Sequence, residues 1–305
     1  MALPKRVHRY WDVAKHWFKI YTMNNVSTAH PNGHFYSPVV DPEELRSEIE
    51  RIWPSDAPSL RGIDLNEPYH VYVLREVFSK YYADFQYPEE GDPDRVLKHF
   101  YIGNSQFGWL DARLLFVLLR EWRPRRLIEV GSGYSTLLIS DVNTRFLSGA
   151  CEVLCVEPYP RPFLKEMSSI KLLEQKVQNV PYEVFEQLEA GDILFIDSSH
   201  VSKTGSDVNH LYFEILPRLK PGVRVHVHDI FFPKDYPVEW VLNENRSWNE
   251  QYVLRALLMF SKKFRVLFGS MNAFVNHKES LGAALNRSID EVYGGGSIWF
   301  ECLPD

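Results

Sequence analysis

The sequence predicts an α/β protein: a doubly wound, mostly parallel sheet preceded by a mainly helical N-terminal extension. Two observations predict it. From about residue 99 onward, short apolar runs alternate with stretches long enough for crossover helices, the pattern of parallel strands covered on both faces. Residues 1–98 differ: they are rich in aromatics, proline and charge, with only short helical patterns. The expected division is an extension over 1–98 and one α/β domain over 99–305.

In the extension, Asp41 to Ile52 reads as a helix, with Asp41 as its cap ahead of Pro42. A second helix is expected from about Tyr69 to Tyr82, with a turn region, Pro54 to Pro58, between the two. Lys5 to Trp11 is the most basic stretch; a solvated helix is the plainer reading and a phosphate-binding face the alternative. The aromatics suit a lid, an arm for a homodimer, or ordinary packing against the domain.

In the domain, Asp111 to Trp122 is amphipathic, with Leu114, Leu115, Leu118 and Leu119 on one face. It ends before Pro124. Strand-like runs follow at Leu127–Val130, Val153–Val156, Ile170–Leu173 (weakly), Ile193–Ile196, Val223–Val227, Phe264–Phe268 and Ser297–Phe300. The last two connect through Gly294-Gly295-Gly296, which allows an antiparallel hairpin at one edge.

Composition excludes several function classes. The chain is 45% apolar and 24% charged, ordinary for a globular protein. Its net charge of −6 offers no basic surface to a phosphate backbone, so no nucleic-acid partner is expected. No apolar run reaches the roughly 18 residues of a membrane helix, and the N-terminus lacks a signal-peptide core. A cytoplasmic protein without a membrane partner is the expectation. Cys151, Cys155 and Cys302 are odd in number and lack framework spacing, so they read as reduced thiols.

The run Leu127-Ile128-Glu129-Val130 enters the turn Gly131-Ser132-Gly133, and Tyr134-Ser135-Thr136-Leu137 then opens a helix. Glycines here let the backbone approach a ligand closely. Such a turn forms a ligand site at the carboxyl ends of the strands. A dinucleotide fingerprint wants a third glycine where Thr136 stands. Glu129, two residues before the first glycine, suits a ligand with a charged amino group, such as S-adenosylmethionine. Glu157, after the second run, can accept hydrogen bonds from ribose hydroxyls. Each acid also has a structural reading: Glu129 bonding the loop, Glu157 capping a turn.

Glu129-x-Gly131-x-Gly133 and Glu157 together resemble the first two motifs of class I S-adenosylmethionine-dependent methyltransferases, over roughly residues 104–305. That resemblance implies a seven-stranded Rossmann-like methyltransferase sheet with the seventh strand antiparallel. Leu127–Thr136, Asp192–His200 and His226–Pro233 are similar to the bacterial family 24 methyltransferase group, related to small-molecule O-methyltransferases. Gly33 to Pro38 is a shorter match to the same group. The resemblance implies a cofactor site made by Glu129, Gly131, Ser132, Gly133, Ser135, Glu157 and Asp197. The segment holding Asn104 and Phe107 would close over the methionine end of the cofactor; its alternative is a capped loop.

A second constellation lies at the next strand ends: Asp197 and His200 after one run, His228 and Asp229 after another. In a doubly wound sheet these ends open on the side of the glycine turn. Two carboxylates can hold a hard divalent cation, a histidine can act as general base, or the cluster can bind substrate by hydrogen bonds alone. Likeness to the catechol O-methyltransferase type implies Asp197, His228 and Asp229 as ligands of Mg2+ or another divalent cation, and His200 as the base. Histidine here replaces one acidic ligand and the lysine base of that type, and imidazole favours transition metals over magnesium. His226, deeper on the same strand face as His228, reads as a core histidine. Asp207 and His210 read as rim residues.

Phe231 to Pro237 is an aromatic, proline-stiffened loop suited to wall a pocket. Asn249 and Glu250, at a helix running from Tyr252 to Phe260, read either as substrate selectors or as a cap and a helix-dipole acid. The function expected is methyl transfer from S-adenosylmethionine to a small-molecule acceptor, at oxygen, with His200 and Asp197 as the catalytic pair. A dinucleotide-dependent oxidoreductase and a non-catalytic cofactor-binding scaffold are the rivals.

Overall fold

Five of the apolar runs lie side by side as parallel strands, and all but the edge strand are mostly buried. The computed structural model describes residues 28–56, 58–91 and 99–304; the basic stretch Lys5 to Trp11 lies outside them. The strands are β1 (Arg126–Val130), β2 (Glu152–Val156), β3 (Lys171–Leu173), β4 (Ile193–Ile196), β5 (Arg224–Val227), β6 (Phe264–Gly269) and β7 (Ile298–Cys302). Their order is β3-β2-β1-β4-β5-β7-β6. β1 to β5 pair in parallel, while β7 inserts antiparallel between β5 and β6. The last two strands are therefore not a simple hairpin: two helices, Ser270–Asn276 and Lys278–Leu285, intervene. β3 is the half-exposed edge, which is why its run reads weakly.

Side chains alternate between two cores, as pleating requires. Ile128, Leu194, Val225 and Phe300 enter one. Leu127, Cys155, Phe195 and Trp299 enter the other, with the apolar helix Trp109–Trp122. One row across the sheet reads Cys155, Glu129, Phe195, His226, Trp299. Two polar residues, Glu129 and His226, are thus fixed on a covered face. His226 is fully buried, stacks on Phe195 at 3.8 Å and bonds Ser297 Oγ through Nε2 at 2.9 Å, a core histidine.

The chain divides into two compact units, Met1–Ser47 and Glu48–Asp305. In the first, Asp41 caps the helix Pro42–Arg46 by accepting from Glu43 N–H, and Gly33 to Pro38 forms turns. The second opens with the short helix Ile49–Ile52, so the single helix expected from Asp41 to Ile52 is two pieces. Its larger helical run extends from Glu67 to Asp84, with a wider turn over Val73–Val77. His70 ties that run to the sheet: its Nε2 accepts from Gly269 N–H at 2.8 Å. Among the described residues no helix is long and apolar enough to cross a membrane.

Candidate active site

Backbone hydrogen bonds continue one residue past three strand ends. Gly131 N–H donates to Val156, Asp197 N–H to Val130 and His228 N–H to Ile196. Gly131, Asp197 and His228 therefore form a row along the carboxyl edge of the sheet. Gly131 has φ +82, and a Cβ there would meet the Asp197 carbonyl oxygen. The glycine turn and the acidic cluster are built against each other.

Glu129 lies beneath the glycine turn. It is fully buried and accepts from Ser135 Oγ at 2.7 Å, Thr136 Oγ1 at 2.5 Å and Cys155 Sγ at 3.3 Å. Alternation along β1 places it with Leu127, beneath the following helix. Burial pushes its carboxyl up to about 7, against the hydroxyls of Thr136 and Ser135. Ser135 is buried with it, and Thr136 Oγ1 also accepts from Gly133 N–H, so the place of a third glycine is structural. Ser132 N–H and Tyr159 N–H both donate to Glu157, which stays partly exposed. Gly133 borders open space: a Cβ there meets nothing within 4 Å.

Asn104 spends its whole amide on its own loop, donating to Tyr101 and Phe107 carbonyls and accepting from Gln106 and Phe107 N–H. Phe107 is buried under the site, 5.1 Å from the His228 ring. These two shape the loop and floor, and Asn104 lines the cleft together with Ser105, Gln106 and Trp109.

The cleft, of about 1150 Å³, opens over Asp197, His200, His228 and Asp229. His200 and Asp229 hold left-handed backbone conformations, φ 61 and 58, the kind of local strain that clusters at functional sites. His200 Nδ1 is 2.8 Å from Glu250 Oε2, and its Nε2 lies 3.4 Å from Asp197 Oδ1 and 3.3 Å from Asp229 Oδ2. His228 Nε2 lies 3.6 Å from Asp111 Oδ2; its Nδ1 lies 3.6 Å from Asp197 Oδ1 and 3.5 Å from Asp229 Oδ1. Ligand atoms of Asp197, His200 and Asp229 fall within 4.8 Å of one another.

Burial opposes charge on His200, yet the bonded carboxylates of Asp197 and Glu250 push it up to about 10. The carboxylates around His200 thus favour its imidazolium form in this arrangement. Burial likewise opposes charge on His228, and Asp229, Asp197 and Asp111 still hold it well above its ordinary value. Burial would raise Asp197, but His228 and His200 hold it well below the usual carboxylate range.

Two site residues escape sequence reasoning. Asp111 is buried and accepts from Ser270 Oγ, Gly296 N–H and Ser297 N–H besides facing His228. It sits in the first turn of a helix that is buried from Leu110 to Leu119. Glu250 reads from sequence as a substrate selector or a helix-dipole acid, and neither reading points to its bond with His200. Its helix spans Glu250–Leu258, earlier than expected, and Asn249 instead accepts from Ser202 N–H at 2.6 Å. Asp207 orders the Ser199 loop, accepting from its N–H and Oγ, while His210 stacks on Tyr182. Trp240 and Trp248 wall the cleft beside Phe231.

The structure is thus an open, doubly wound sheet with an inserted antiparallel seventh strand and polar residues gathered at its carboxyl edge. The model of a methyltransferase domain family, family 24, matches residues 128–230. An uncharacterised protein of Archaeoglobus fulgidus is 36% identical over 183 residues, 57% of this chain and 81% of that one. A methyltransferase of Podospora anserina, solved with S-adenosylhomocysteine, aligns at a TM-score of 0.41 and 14% identity over 92% of this chain and 100% of that one. An O-methyltransferase of Bacillus cereus aligns at 0.37 and 14%, over 86% and 97%. Residues 128–230 are thus similar to a methyltransferase domain.

Proposed function

We propose that the protein transfers the methyl group of S-adenosylmethionine to an oxygen of a small-molecule acceptor, with a divalent cation assisting. The observation that supports this reading best is the row Gly131, Asp197, His228, which sets the glycine turn directly beside the acid–histidine cluster.

S-adenosylmethionine supplies a methyl group made electrophilic by its sulfonium. The chain's residues fit it. Gly133 leaves open the space a side chain would fill. Glu157, partly exposed, retains lone pairs for ribose hydroxyls. Glu129 works from beneath, fixing Ser135 and Thr136 so that the helix start stays in place. Asn104 staples the loop that borders the cleft. Asp197, Asp229 and His228 would hold the cation: their facing atoms are 3.5 and 3.6 Å apart, too far to satisfy one another by hydrogen bonds. A bound cation lowers the pKa of an acceptor hydroxyl and orients it. The walls from Phe231, Trp240 and Trp248 would align the acceptor, and alignment supplies much of the rate.

Calorimetry with S-adenosylmethionine and S-adenosylhomocysteine tests the cofactor, and absence of binding at sub-millimolar ligand sinks the reading. Mass spectrometry of hydroxylated acceptors incubated with and without chelator then tests the acceptor atom and the cation separately.

A further inference from the structure

We infer that a second pocket, on the other face of the Phe231–Pro237 loop, binds a small organic anion: one carboxylate or phosphate group on an apolar body, held by Lys234 and Arg255. The inference rests on neither the cofactor nor the cation reading of the cleft.

The loop serves two cavities. Phe231 walls the cleft. Phe232, Pro233, Lys234 and Asp235 line a separate cavity of about 280 Å³, near the small end of the range for ligand pockets. Its other walls come from Ile52, Pro54 and Leu60 and from the helix Glu250–Leu258. Trp53 Nε1 donates to the Tyr236 carbonyl at 2.7 Å and ties the first of these walls to the loop. Gln251 ties the helix to it: Oε1 accepts from Phe231 N–H at 2.5 Å, and Nε2 donates to the Lys234 carbonyl at 3.2 Å. Hydrogen bonds thus hold the cavity on both sides, so its shape is built into the fold.

Charge in the cavity is one-sided. Arg51, Lys234 and Arg255 line it against one acid, Asp235. That acid is already engaged, its Oδ1 accepting from Tyr252 Oη at 2.7 Å and from Tyr236 N–H at 2.7 Å. Arg51 pairs with Glu48. Neither Lys234 nor Arg255 has an ion pair among the described residues. Lys234 is half-buried, and the cavity floor beside it includes Leu60 and Phe232, 8% and 3% exposed. Where apolar walls exclude part of the water, a cation gains more from an anion than it does in open solvent. A bare anion would leave the apolar walls unused; an organic anion uses both halves of the lining.

Phenyl phosphate is the probe, with inorganic phosphate and phenol as its two halves. Calorimetry on the full-length protein, in chelator and at low salt, should show phenyl phosphate binding at one site, about fivefold or more tighter than either half. Lys234→Gln and Arg255→Gln should each weaken it about tenfold. Lys220→Gln, at an exposed lysine outside the cavity, should leave it unchanged. Melting curves identify the folded variants, and either pocket variant suffices for the decision. Saturating S-adenosylhomocysteine should not displace the probe. The inference is overturned by absence of binding at millimolar phenyl phosphate, by inorganic phosphate binding as tightly, by unchanged affinity in a folded pocket variant, or by displacement with S-adenosylhomocysteine.

Discussion

A Cβ placed on Gly131 would stand 1.7 Å from the carbonyl oxygen of Asp197. Both partners of that contact are backbone, so neither can swing aside, and φ +82 already disfavours any side chain. Gly131→Ala should therefore cost about 3 kcal/mol or more of stability. Gly133→Ala should behave differently. Its φ is −170, extended backbone, and a Cβ meets nothing within 4 Å. The fold should persist within about 1 kcal/mol, while S-adenosylhomocysteine affinity falls at least tenfold. Melting curves and calorimetry on both variants check this; unaltered affinity in Gly133→Ala would remove the turn from the cofactor site.

That contrast also marks what the sequence made legible. The glycine turn and Asp197, His200, His228 and Asp229 were readable because each follows an apolar run, and parallel strands deliver their ends to one edge. Glu129 reads from sequence either as a ligand contact or as an acid bonding the loop, and its spacing from Leu127 puts both on one covered face. Asp111 and Glu250 could not be paired with His228 and His200 in advance. Their meeting depends on the insertion of β7 and on the helix Glu250–Leu258 starting beside the His200 carbonyl, which accepts from Asn249 and Glu250 N–H. Long-range convergence of that kind leaves no local pattern.

Glu129 gives the stability a definite pH dependence. Its carboxyl, ordinarily 4.5, is pushed up to about 7 by burial. The folded state then holds the proton more tightly than the unfolded chain. The stabilisation is full below about pH 4.5 and is lost as pH rises through about 7, a change of about 3 kcal/mol. Urea melts between pH 4.5 and 8 should show this slope in the parent and a flatter one in Glu129→Gln. Parallel profiles for the two proteins would discard the assignment.

His70 acts in the opposite direction. Burial lowers it from 6.5 to about 4, outweighing its hydrogen bond to Asn66 O. The folded state disfavours its proton, so its contribution is present above about pH 6.5 and is lost as pH falls through about 4. His70→Leu should abolish that acid sensitivity. It should also cost about 1–3 kcal/mol at neutral pH, because Gly269 N–H loses its buried acceptor. Acid-dependent melting that survives the substitution would show that another group carries it.

The acceptor wall invites the last test. Trp248 packs its ring 4.4 Å from the His200 ring, and Trp240 lies 5.4 Å from Trp248. Arg246 stacks over both, 4.2 Å from Trp240 and 4.8 Å from Trp248, and pairs with Glu244. The guanidinium thus stiffens two aromatic faces that border the cleft, and a planar acceptor would gain contact area at little entropic cost. Removing one face should remove about 1.5–3 kcal/mol of acceptor binding, since that is the scale of a buried aromatic contact. Trp248→Ala should then raise the acceptor KM about 10–100-fold, with S-adenosylhomocysteine affinity changed less than about twofold because the glycine turn is untouched. A ring that serves binding alone leaves kcat near the parent value. A fall in kcat instead, at constant KM, would mean that Trp248 holds His200 in place for the chemical step, and that the acceptor sits elsewhere in the cleft.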